Sequence, residues 1–339
     1  MNNDVTHPDS AAKPKTTDVA RGRPMRFELK DFGILGGLLA IVLYLSVTTT
    51  TFLTGNNIVN LLDQAVVIGL LAVGATLCIV SGVFDLSASA NLAVSAIAGV
   101  FFTTQFGVAA GFMMACLFGG TLGALTGLLI VLTRVNSFIG SLAISIIYRG
   151  LAIVLTGGLI LSVPPEQLQA FRVWALPAIG PVTGGTVLFL VVAVILGFVL
   201  WGTTFGRRVY AVGGNQEAAR LSGVRTPLIH ISVFAINGVC AAAAGMVLAS
   251  RAGSAQPAMA IGMELTAIAA VVIGGTSILG GAGAIWRTVV GVIILTVIGN
   301  GFNLLRWDTT YQQVVTGILI LLAVSADAWL SRRSRWARS

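Results

Sequence analysis

Apolar runs about as long as a bilayer's hydrocarbon core is thick follow one another through this chain with little between them. A membrane-spanning helix needs about 20 mostly apolar residues. Ten such runs stand at 32–50, 58–80, 86–105, 108–132, 138–160, 186–202, 228–249, 265–281, 286–304 and 311–330. Charged residues make up 9% of the 339 residues and hydrophobic ones 56%, with a mean hydropathy of +0.94. Soluble domains carry roughly 25% charged residues. So little charge cannot cover a globular surface, and lipid is the natural solvent. The expected fold is all-α: a polytopic membrane bundle of about ten transmembrane helices. Small residues recur within the runs, as at Gly119, Gly120, Gly123 and Gly127. Such spacings let helix backbones approach closely, which membrane packing requires.

Orientation follows from lysine and arginine. With the N-terminus inside and ten crossings, sixteen basic residues fall on the inner side. Three (Arg172, Arg251 and Arg306) fall outside, and Arg149 lies within a run. Both termini are therefore expected in the cytoplasm, and the basic balance is a topology signal. No basic stripe with interleaved aromatics points to nucleic acid. Residues 1–31 read as a disordered cytoplasmic tail, with no short apolar core of the secretory-signal kind near the start. Residues 32–330 form the membrane domain. Residues 331–339 are a basic cytoplasmic tail, whose RRSRW stretch also suits anionic lipid. The longest outer segment, 161–185, carries four prolines and reads as a partly ordered cap, either a spacer or a docking surface.

Several chemistries are excluded or disfavoured. Lysine occurs only at 13, 15 and 30, so no GxxxxGK[ST] phosphate loop exists in the membrane body. No catalytic residue or metal site is expected. Cys78, Cys116 and Cys240 sit inside apolar runs without paired spacing. Of the twelve acidic residues only Asp63, Asp85, Glu264 and Asp327 touch the runs, too scattered to favour a proton relay.

One hydrophilic island interrupts the second half: RRVYAVGGNQEAARLSGV, residues 207–224. Asn215 is a good N-cap, Glu217 stands in the first turn, and Gly223 is suited to a left-handed C-terminal position. The spacing predicts a two-turn helix over 216–222, with Ala218, Leu221 and nearby Val224 as its small apolar face. Such a helix is marginal alone. Two readings fit: a helix seated in another protein's groove, or one lying on the membrane surface.

The longer stretch FGRRVYAVGGNQEAARLSGV resembles the cytoplasmic coupling segment of permease subunits of ATP-binding-cassette sugar importers, in the ribose-type branch. FLTGNNIVNLLDQ (52–64), IVSGVFDLSAS (79–89), MELTAIAAVVIGGTSILGGAGAIWRTVVG (263–291) and IGNGFNLL with YQQVVTGILILLAV (298–324) continue the likeness in order. It departs from the family pattern at Ser81–Asp85, at Ala88 and Ser89, and at Trp286 and Arg287. The resemblance implies a permease dimer in the bacterial cytoplasmic (inner) membrane, as homodimer or heterodimer. It implies a cytoplasmic ATPase partner that binds ATP and magnesium, an extracytoplasmic sugar-binding protein, and no cofactor on this chain. The coupling segment, 206–225, would meet the ATPase through Gly213, Gly214, Asn215, Gln216, Glu217, Ala218, Ala219, Arg220, Ser222 and Gly223.

Polar groups at breaks in spans are the natural pathway lining. They are Ser81, Asp85, Ser87, Ser89 and Asn91 around the first break, Thr276 and Ser277 in GGTS, and Asn300 with Asn303. For the asparagines the competing role is hydrogen bonding between helices; for Asp85 it is capping the next helix. The expected function is passage of a monosaccharide driven by a separate ATPase. The alternatives are a permease for another small solute (a branched-chain amino acid, nucleoside or furanosyl signal molecule), a secondary carrier, or a structural scaffold.

Overall fold

The computed structural model describes residues 29–308 and separate positions between 311 and 325. The readings for residues 1–28, for the run 311–330 as a whole and for the tail 331–339 lie outside the described residues. The helices are α1 (Leu29–Thr48), α2 (Gly55–Val80), α3 (Ala88–Phe106), α4 (Val108–Thr133), α5 (Ser137–Thr156), α6 (Pro165–Phe171), α7 (Gly184–Gly202), α8 (Thr204–Gly214), α9 (Gln216–Leu221), α10 (Thr226–Ala252), α11 (Met263–Ile273) and α12 (Ile285–Leu304). Helix α1 begins at Leu29, inside the segment assigned above to the tail. Seven of the described helices, α2, α3, α4, α5, α7, α10 and α12, are long and apolar enough to cross a bilayer.

One expected span is not continuous. The run 265–281 is helical only to Ile273, and residues 274–284 are irregular. Apolarity persists past that point, but Gly275, Gly280 and Gly281 take positive φ values of 82°, 84° and 73°. That left-handed geometry, which glycine alone adopts freely, stops the helix. A second irregular segment, 81–87, separates α2 from α3. Its backbone groups find partners on α5: Ser137 Oγ accepts from Phe84 N and Ser141 Oγ from Leu86 N, both at 3.0 Å. Irregular backbone at membrane depth persists only where it is satisfied in this way.

Helices α2, α3 and α10 supply most of the buried core, and α4 closes against α10. The α4–α10 contact is made of backbone. A Cβ added at Gly238 would lie 2.1 Å from the Gly119 carbonyl oxygen, and one at Gly123 would lie 2.2 Å from that of Phe234. The expected packing role of the α4 glycines is thus observed. Helices α5 and α7 keep broad apolar faces outward, with Ile146, Val154 and Val194 among the most exposed. In water such faces promote association; in lipid they are at home.

At one end of the bundle, residues 161–183 form an ordered cap. Strand β1 (Leu161–Ser162) pairs antiparallel with β4 (Ser254–Ala255), and β2 (Pro177–Ile179) with β3 (Val182–Thr183). Ser250 Oγ donates to the Phe171 carbonyl at 2.8 Å. Asp63 accepts from Arg251 at 2.7 Å and from Thr183 Oγ1 at 2.9 Å. Replacing Asp63 with alanine strips the part-buried Arg251 of its counter-ion and is expected to cost about 2 kcal/mol. A lowered midpoint of thermal unfolding in detergent checks it. At the opposite end lie α8 and α9.

Candidate functional site

Helix α9 is built as its sequence predicts, one residue shorter. Asn215 Oδ1 accepts from Ala218 N at 3.0 Å, closing the N-terminus. At the other end Gly223, at φ 83°, donates to the Arg220 carbonyl, and Val224 N donates to that of Ala219, both at 3.0 Å. These two bonds form a Schellman motif. The motif leaves Ala218 and Leu221 of the expected apolar face open and takes Val224 from it. It folds Val224 back over Ala219, so those two residues turn inward while Ala218 and Leu221 turn out, with Leu221 78% exposed. Gln216, Glu217, Arg220, Ser222 and Gly223 are exposed with them. Arg220 grips Glu217 through two hydrogen bonds, of 2.7 and 3.2 Å, holding that carboxyl below its usual range.

Helix α8 is missing from the expectation. Thr203 caps it, its Oγ1 accepting from Gly206 N at 3.1 Å. Its buried positions, Gly206, Val209 and Val212, recur every third residue, a spacing visible in the sequence but diluted by arginines and glycines. The α8–α9 junction, Gly213 and Gly214, then lies against both irregular segments. Gly281 N donates to the Val80 carbonyl at 2.8 Å, and Gly213 packs beside that bond. One turn back, Tyr210 Oη donates to the Gly283 carbonyl at 2.7 Å.

The pathway candidates take varied positions. Ser81 is buried and donates to the Cys78 carbonyl at 2.8 Å. Asp85 is 4% exposed; one oxygen accepts from Ser87 N and Oγ at 2.8 and 2.6 Å, the other from Asn237 Nδ2 at 2.8 Å. It thus turns the chain into α3 and ties the break to α10. Asn237, which sequence reasoning missed, is a single amide in an apolar run whose partner stands 152 positions away. Asn91 donates to the Gly119 carbonyl at 3.0 Å and accepts from Ser95 at 2.9 Å. Asn300 exchanges two hydrogen bonds, of 2.9 and 3.0 Å, with Asn57 of α2, whereas Asn303, one turn on, is exposed. Thr276 is buried and Ser277 half-buried. The two irregular segments are thus brought together, while Asn300 and Asn303 belong to another part of the bundle.

Arg149 was also passed over as a functional residue. From α5 it donates to the carbonyls of Pro257 and Met259 at 2.5 and 2.8 Å, and reaches Ser89 Oγ at 3.3 Å. It binds the segment before α11 to the start of α3. Replacing it with methionine keeps the stem and leaves those carbonyls without a donor, at an expected cost of about 2 kcal/mol. Faster amide hydrogen exchange confined to 256–262 checks it.

The sequence profile of the branched-chain amino acid transport system permease component matches residues 57–324. The ribose import permease RbsC of Bacillus subtilis is 38% identical over 301 residues, 88% of this chain and 93% of that protein. The D-allose transport system permease AlsC of Escherichia coli is 37% identical over 331 residues, 93% of this chain and 98% of that protein. The L-arabinose ABC transporter permease AraH of Azospirillum brasilense is 35% identical over 331 residues, 97% and 95% of the two chains.

Proposed function

This chain belongs to the family of branched-chain amino acid transport system permease components, and on that premise we propose that it forms the membrane pathway of an ATP-binding-cassette importer for a monosaccharide. The relatives named for ribose, D-allose and L-arabinose favour a sugar within a family named for another solute. The chain is a multi-pass membrane subunit and not itself an enzyme. ATP and magnesium bind a separate cytoplasmic ATPase, and an extracytoplasmic binding protein delivers the sugar. A second permease chain completes the pathway in the bacterial cytoplasmic membrane. In this reading α8 and α9 face the cytoplasm and the 161–183 cap faces out.

The observation that carries the reading is α9 itself: a helix capped at both ends, its Gln216–Glu217–Arg220–Leu221 side uncovered, and its root seated on the α2–α3 link and on the interrupted span after α11. A solvated loop gains nothing from holding Leu221 out in water, whereas a groove in a partner does. Closure of the ATPase pair pushes on α9 and tilts the spans joined to it. The sugar is neutral, so the pathway needs no charged site. We assign its polar lining to the side chains that keep some exposure, Ser277 and Asn303, with the buried polar groups around the first break shaping the passage.

Two measurements test this. Affinity purification of the chain in mild detergent recovers an ATPase subunit, and the binding protein it works with retains one of labelled D-ribose, D-allose or L-arabinose. Retention of a branched-chain amino acid instead moves the substrate to the other class. Second, Glu217→Arg and Arg220→Glu each reduce uptake on the order of tenfold with normal membrane abundance, because an exposed pair adds little to folding. The double exchange restores the pair inside α9 but not the pattern shown to a partner, so uptake stays low. Full recovery in the double variant makes the pair a local support of the helix and removes it from the docking surface.

A further inference from the structure

We propose that Gly213 is a pivot: the contact through which movement of α9 reaches the α2–α3 link and the interrupted span after α11 at once. The inference rests on the importer reading above and deepens it. It takes Gly213 out of the surface that meets the ATPase and makes it a positioning residue within the permease.

Three segments far apart in sequence meet at this point without side chains between them. The carbonyl of Val80 closes α2 and accepts from Gly281 N. Helix-terminal carbonyls lack an intrahelical partner, so this bond fixes the end of α2 to the segment after α11. A Cβ at Gly213 would lie 1.8 Å from the Val80 oxygen and 2.7 Å from Gly281 N, on top of that bond. The contact is reciprocal. A Cβ at Gly280 would lie 2.9 Å from the Gly213 oxygen and 3.0 Å from Gly82 Cα, and one at Gly281 would lie 2.7 Å from Gly214 Cα. Gly82, Gly280 and Gly281 all hold positive φ, near 84°, 84° and 73°. Gly280 and Gly281 therefore serve two needs, the turn and the close approach, and Gly82 serves the turn.

Contact between backbones has no rotamers to yield. A close-packed interior passes a displacement on rather than absorbing it, and here the displaced element is the C-terminal root of α8, where α9 begins. The two segments it touches are the breaks, 81–87 and 274–284, at which α2–α3 and α11–α12 bend. The Tyr210 hydroxyl on the Gly283 carbonyl is a second tie from α8 to the later break. Buried Ala219 and half-buried Val224 join α9 to the root of α10 by another route; among the described residues the glycine contact is the one that joins it to both breaks.

The test uses the whole complex, permease with its ATPase and binding protein, in sealed proteoliposomes. The quantity read is ATP hydrolysed per molecule carried of whichever of D-ribose, D-allose and L-arabinose the wild type transports. Gly213→Ala is expected to raise that ratio at least tenfold. Gly197→Ala, whose new methyl meets only Ile285 Cβ at 3.8 Å, leaves it unchanged. Tyr210→Phe adds no volume, removes one tie and raises the ratio several-fold; it decides the matter if Gly213→Ala fails to assemble. A Gly213→Ala complex coupled as tightly as wild type overturns the pivot and leaves the importer reading standing. So does an unchanged ratio in Tyr210→Phe when Gly213→Ala does not assemble. A wild-type complex with no ATP-dependent uptake of any of the three sugars overturns the reading and the pivot with it.

Discussion

Replacing Gly123 with leucine empties the membrane of folded protein. The position lies where α4 crosses α10, and the first atom of any side chain there would stand 2.2 Å from the Phe234 carbonyl oxygen and 3.2 Å from Ala235 Cα. Both are backbone atoms of a buried helix and cannot turn aside. Helices in lipid associate by close packing rather than by exclusion of water, so a forced separation along α4 gives up the contact that holds the pair. Overpacking of a soluble core costs about 1–3 kcal/mol. Here a whole branched side chain enters a backbone contact, and the expected loss exceeds about 3 kcal/mol, a large share of a marginal total. Membrane abundance, and the unfolding midpoint of any protein recovered, check it. Gly150→Ala, on α5, is the contrast: its new methyl meets nothing within 4 Å, and abundance stays near wild type.

Asp85 carries the second large effect, and two substitutions there part company. Asp85→Leu removes the acceptor of three donors: Ser87 N, Ser87 Oγ and the Asn237 amide. Each buried donor left unpaired costs about 1–3 kcal/mol. The relief of no longer burying a carboxylate offsets part of this, so the net loss is about 3 kcal/mol. Asp85→Asn keeps the shape and the acceptor for Ser87. Its new amide faces Asn237, whose Oδ1 is buried without a partner. Orientation of that amide follows from the carboxylate beside it; with the carboxylate gone, Asn237 turns over and accepts. The cost of Asp85→Asn therefore stays below about 1 kcal/mol. Thermal unfolding of the two variants side by side separates these expectations, and equal stability of Asp85→Leu and wild type contradicts the role given to the carboxylate.

Much of the architecture is written in local patterns. Length and apolarity mark the long spans, glycine spacing marks the α4–α10 seam, and Asn215 with Gly223 brackets α9. What escapes such reading is set by distant partners or by backbone conformation. Hydropathy runs on through Ile278 and Leu279, so nothing apolar signals that α11 ends at Ile273; the left-handed glycines end it. The inward stripe of α9, Ala219 with Val224, depends on where the Schellman motif points Val224, and it leaves Ala218 and Leu221 facing out. Asn237 and Arg149 look like isolated polar residues until the fold sets them against Asp85 and against the carbonyls of Pro257 and Met259. The resemblance to sugar permeases reaches the class of the chain by whole motifs in register, where no single residue does.

The central claim is that the chain supplies a passage and takes its driving force from a partner at α9. Its most direct measurement is accumulation of labelled D-ribose, D-allose and L-arabinose in sealed proteoliposomes, with the purified chain alone and with the ATPase, ATP and the binding protein added. The account predicts no accumulation above the outside concentration by the chain alone, and ATP-dependent accumulation of one of these sugars by the full set. Accumulation by the chain alone, driven by an ion gradient, would contradict it.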